Sequence, residues 1–157
     1  MSTFVVLAGW LVACSSPAKQ AAADYVRRVQ PLMVENSALA EQMLLQGAAV
    51  YNGAAGPDDV AVAWEKRIVP MSEHLASQAS FVPPPPEYQA THANLVKIWT
   101  DRAVAYRAMS EATRTANAQL WNAARTKVDQ VNAQETAFFR DLNSQLSPLS
   151  LQVDPYP

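Results

Sequence analysis

Apolar residues recur along most of this chain at alternating intervals of three and four, the spacing of one helix face and not of a strand. A first helix is predicted on the seam Val29, Met33, Asn36, Ala40, Met43, Gly47 and Val50. Pro31 falls within it, and the missing amide donor predicts a kink or break near Gln30. Asn52-Gly53-Ala54-Ala55-Gly56-Pro57 reads as a turn. Pro57 suits the first position of a second helix, and Asp58 and Asp59 suit its positive dipole end. Val60, Trp64, Ile68, Met71 and Leu75 share the next face, with Pro70 expected to bend it. This helix ends before Pro83-Pro84-Pro85-Pro86, an extended polyproline run that serves either as a ligand for a proline-binding module or as a stiff connector. The connector is the preferred reading.

A third helix opens at Pro86-Glu87 and carries Tyr88, His92, Leu95, Trp99, Arg102, Tyr106, Met109 and Thr113 on one seam. A fourth carries Trp121, Ala124, Val128, Val131, Glu135, Phe138 and Leu142. Only the polar stretch 113–117 separates the two. Residues 147–157 contain three prolines and are expected to form an irregular tail that packs across the helices through Leu149, Leu151 and Tyr156. The pattern predicts an all-α fold, an antiparallel up-down-up-down four-helix bundle over residues 21–146. Strict three-four spacing adds shallow crossing angles.

Composition narrows the functional classes. The 157 residues suit one domain. With 12 Lys and Arg against 14 Asp and Glu, there is no basic footprint for nucleic acid. A single cysteine excludes an internal disulfide framework and a multi-cysteine zinc site. The four glycines are dispersed, so there is no phosphate-cradling loop.

The cysteine has a distinctive setting. Residues 4–13, Phe-Val-Val-Leu-Ala-Gly-Trp-Leu-Val-Ala, are apolar and stop at Cys14-Ser15-Ser16-Pro17. Such a run is too short to span a bilayer, which takes about 20 residues, but matches the apolar core of a signal peptide, about 7–15 residues. Leu11-Val12-Ala13-Cys14 resembles the lipobox of bacterial lipoproteins. Met1-Ser2-Thr3 ahead of the run lacks the Lys or Arg usual in that family. The resemblance implies removal of residues 1–13 as a signal peptide, a diacylglyceryl thioether on Cys14, an acylated new amino terminus, and a tether over 14–20. It implies a membrane-anchored, extracytoplasmic protein of the bacterial cell envelope. Ser15, standing where an aspartate tends to retain such proteins at the inner membrane, favours the outer membrane of a Gram-negative host. The layout is similar to that of small helical lipoproteins whose proline-rich helix opening precedes a histidine, here from Pro83 to His92. That likeness implies compartment and fold but no chemistry; with the lipobox and the bundle pattern, the expectation is a structural or protein-interaction role with another envelope protein as partner.

The residues themselves offer one constellation. With the turn between helices two and three centred at 83–84, His74 and His92 fall at the same level of an antiparallel pair. Folding the fourth helix back brings Glu135 to within about one turn, and reflecting the first brings Glu35 and Asn36 to that level. Two histidines and one or two glutamates are the donor set of a borderline divalent metal. The Glu-x-x-His spacing of di-iron bundles is absent, since Met71 and Gln89 stand three before the histidines. The preferred reading is a hydrogen-bonded layer, His92 with Glu135, that fixes helix register, with the metal or small-ligand site as the second. Arg102, on a seam, either snorkels to solvent or pairs with a carboxylate such as Glu111 or Asp129, and Asn36 reads as a register-setting polar residue. Trp64, Trp99, Trp121, Tyr88 and Tyr106 read as core, with an apolar ligand pocket as the second reading. No arrangement of nucleophile and base is visible, so an enzyme is not expected, and no cofactor beyond the divalent metal is suggested.

Overall fold

The computed structural model describes residues 16–157. Residues 1–13, the lipobox and Cys14 lie outside the described residues. Helix α1 (Pro17–Tyr51) begins with Pro17 in the first turn, where its missing donor costs nothing, and the Ser16 side chain accepts from the Lys19 amide at 3.2 Å. Residues 17–20, assigned to the tether by the sequence reading, therefore form the first turn of this helix. Of the kink or break expected near Gln30, the break does not occur: the 35-residue helix runs through Pro31. Pro31 is exposed, while Tyr25, Val29, Leu32 and Met33 on both sides of it are buried and anchor the helix.

The second rod comprises α2 (Pro57–Ala63), a π-helical turn (Trp64–Ile68) and α3 (Val69–Phe81). Gly53, at φ +70, supplies the left-handed residue in the preceding turn, and the Asp59 carboxylate accepts from the Gly56 amide at 2.9 Å. Pro70 explains the π turn. The Val69 amide donates to the Trp64 carbonyl, one residue further back than in an α-helix. The wider turn shifts the ladder just ahead of the proline, which then occupies the opening turn of α3.

Residues 83–85 are extended, and Pro86–Tyr88 forms a 3-10 turn leading into α4 (Gln89–Arg114). Ala116, at φ 50, closes α4, and the Asn117 side chain accepts from the Leu120 amide at 2.9 Å to open α5 (Ala118–Leu146). Counted as rods, the described residues form a four-helix bundle without strands.

The α4 and α5 seams are buried almost as the spacing predicts, with Thr113 and Trp121 half-buried at the ends. Helix α1 departs. Asn36 and Leu39 are its last buried residues; Ala40, Gly47 and Val50 are exposed and Met43 is half-buried. Beyond Leu39 the seam still points inward, but among the described residues no helix fills the space opposite it. Helix α4 packs closely on α3 and α5, whereas α1 packs chiefly on α3 and approaches α5 little.

The tail lies nearer the Pro17 end, in the gap between α1 and α5 at the level of Gln30. After the left-handed Ser150, the chain turns back so that Asn143 on α5 makes two hydrogen bonds with the Val153 backbone, at 2.9 and 2.7 Å. Gln30 on α1 makes two with Asp154, at 2.9 and 3.0 Å. Val153, 1% exposed, is the buried anchor, with Leu149 and Leu151 half-buried; Tyr156 is exposed and corrects the expectation placed on it.

The α1 register makes a stability prediction. Leu39→Ala should cost about 2–5 kcal/mol in urea unfolding. Leu44→Ala, at a side chain 75% exposed, should change stability by less than about 0.5 kcal/mol. Equal losses at both positions would show that α1 is turned differently.

Candidate functional site

Three layers stack along the bundle from the Pro17 end upward. In the lowest, the Tyr25 and Tyr88 rings stack with centroids 5.2 Å apart. The Tyr25 hydroxyl donates to His92 Nδ1 at 3.1 Å, and His92 Nε2 donates to the Ala79 carbonyl at 2.9 Å. A carbonyl only accepts, so the proton belongs on Nε2 and Nδ1 is the acceptor. Burial lowers the His92 pKa from 6.5 against the opposing effect of the Ala79 carbonyl, and burial, with Tyr88 beside it, pushes the Tyr25 phenol up to about 12. Both groups are neutral near pH 7, with both imidazole nitrogens occupied.

The middle layer is ionic. Arg102 Nη1 donates to both Glu135 oxygens, at 3.0 and 3.1 Å, and Nη2 donates to Asn36 Oδ1 at 2.6 Å. Trp99 Nε1 donates to Glu135 Oε1 at 2.5 Å, and the guanidinium lies 5.8 Å from the Trp99 ring centroid. The ion pair is nearly dry, with side chains 5% and 6% exposed. This layer links α1, α4 and α5.

The proposed metal set is not brought together. His74 and Glu35 are exposed, His92 is engaged by Tyr25 and Ala79, and Glu135 is committed to Arg102. No group of three or more His, Cys, Asp and Glu among the described residues is placed to hold a metal ion. The hydrogen-bonded pair of His92 with Glu135 is likewise corrected: each is buried in a polar layer, but in different ones. Glu111 pairs with Arg114 and Asp129 is exposed, so neither serves Arg102. The correct partner was visible as the only carboxylate on the α5 seam. The Arg102 and Trp99 pairing was visible in their three-residue spacing on α4.

The third layer is a cavity of about 710 Å³ at the end of the bundle farthest from Pro17. Met43, Gly47, Val60, Trp64, Met109 and Trp121 supply most of its apolar wall. Trp64 meets Tyr106 edge-on, with centroids 5.4 Å apart, and Trp121 at 6.3 Å. Of the five aromatics singled out in the sequence, Trp64 and Trp121 line this cavity; Tyr88, Trp99 and Tyr106 are core. No lining residue is titratable, so the arrangement suits binding of apolar surface, not proton transfer.

Comparison with family models, curated proteins and solved structures finds no match.

His92 gives a pH prediction. Because its folded pKa lies below 6.5, the unfolded chain binds a proton more readily as pH falls past that value. Folding stability should decline from about pH 7.5 towards the depressed folded value and then level off for this group. The decline should be smaller in His92→Gln, measured by urea unfolding across that range. Identical pH slopes in the two proteins would remove His92 from the account.

Proposed function

We propose that this chain is a lipid-anchored protein of the bacterial cell envelope, a helical bundle with a structural or protein-interaction role. The observation that carries the reading is Leu11-Val12-Ala13-Cys14 at the end of an apolar run, two residues before Ser16 caps α1. Such a spacing leaves little tether between an acylated Cys14 and the bundle. At 1.5 Å per residue, the 35 residues of α1 would carry its other end about 50 Å away. That end exposes apolar side chains, Leu44 at 75% and Tyr51 at 91%, together with Leu45 and Val50. These are suited to contact with another envelope protein. No described helix is long and apolar enough to cross a membrane, so in this reading attachment rests on the acyl chains. Acyl chains contribute roughly 0.8 kcal/mol per buried methylene, and two or three give durable attachment.

Mass spectrometry of the native protein tests this reading. The expected product begins at an acylated Cys14 and partitions with membranes, and Cys14→Ser should abolish both modification and partitioning. A soluble chain with residues 1–13 retained and an unmodified thiol would contradict it.

A further inference from the structure

The cavity at the far end of the bundle has the size of a small-molecule site, within the usual range of about 300–1,000 Å³. Its chemistry restricts the occupant. None of its lining residues is charged, although the surrounding surface carries Glu65, Glu111, Arg114 and other charges. Two helix N-termini and two C-termini meet at this end, so their dipoles largely offset one another. Nothing here would compensate the desolvation of a phosphate, carboxylate or ammonium group. Polar capacity is limited to Gln46, Thr113 and Asn117. The Thr113 hydroxyl already donates to the Met109 carbonyl, and the Asn117 oxygen caps α5, so little polar side-chain capacity is left to meet a ligand.

Met43 to Val50 spans about 10 Å along α1, which sets the scale of the opening, and the shape of its wall restricts the occupant further. Trp64 and Trp121, inclined at 68°, offer two non-parallel aromatic walls, and Met43 and Met109 add polarizable sulfur.

We infer that this cavity is a binding site for an uncharged, ring-bearing apolar molecule. The inference does not depend on acylation of Cys14.

Gly47 provides a test that leaves the fold in place. A Cβ built there meets nothing within 4 Å, so Gly47→Phe can project a ring into the opening without a clash at its base. The 157-residue chain carrying Cys14→Ser is titrated, without detergent, with the neutral fluorophore N-phenyl-1-naphthylamine. The expected result is saturable one-to-one binding with blue-shifted emission. Gly47→Phe and, separately, Trp121→Ala should weaken it at least tenfold while circular dichroism stays helical. The anionic probe 8-anilinonaphthalene-1-sulfonate should bind at least tenfold more weakly than the neutral one. Absent saturation, undiminished binding in both cavity variants that remain helical, or equal affinity for the two probes would overturn the inference. So would a dimer, seen by sedimentation, that excludes the neutral probe and dissociates in Gly47→Phe, because the occupant would then be a second copy of the chain.

Discussion

A guanidinium and a carboxylate removed from water where three helices meet constrain the rest of this bundle. Burying such charges costs several kcal/mol each unless their hydrogen bonds are met. Arg102 and Glu135 meet most of that demand through each other, and Asn36 and Trp99 supply further bonds. Sliding α5 by a residue would strand a charge and sliding α1 would take the acceptor from Arg102 Nη2, whereas sliding two apolar seams merely exchanges one contact for another. Helix α1 needs this constraint, because it approaches α5 little and is tied to it at two levels: by Asn36 through Arg102, and by the tail strapped between Gln30 and Asn143.

The cavity follows from the same arrangement. Below the ionic layer, Val153 fills the gap between α1 and α5; above it, no side chain of the described residues does. The second rod contributes through its proline. By widening the ladder at Trp64–Ile68, the π turn accommodates Pro70 without breaking the rod, and Trp64 at its start forms part of the cavity wall. Local backbone chemistry and the long-range ion pair thus define one opening from two sides.

Much of this was legible in the sequence. Tyr88 to Met109 and Ala124 to Leu142 follow the buried faces of α4 and α5, because both helices have neighbours along their lengths. The pattern on α1 gave the inward direction but not what lies opposite, so Met43, Gly47 and Val50 read as core and instead border a cavity. Pro31 was read as a break because intrinsic propensity omits the packing of Tyr25, Val29 and Met33 around it. The polar layers were confused for a different reason. Levels inferred from loop centres are good to about one turn, enough to place His92 beside Glu135 when each has a different partner. His74 carried its own warning, standing beside Leu75 and off the predicted seam.

The most direct measurement is a double-mutant cycle in urea unfolding with Arg102→Met, Glu135→Leu and the pair combined. Each single change strands its partner in the interior and should cost about 3–5 kcal/mol. The double variant replaces both charges with apolar groups and should regain most of that loss, a coupling far larger than exposed pairs give. If the two losses simply add, or if each single change is nearly neutral, the ionic layer does not govern how the helices are held together.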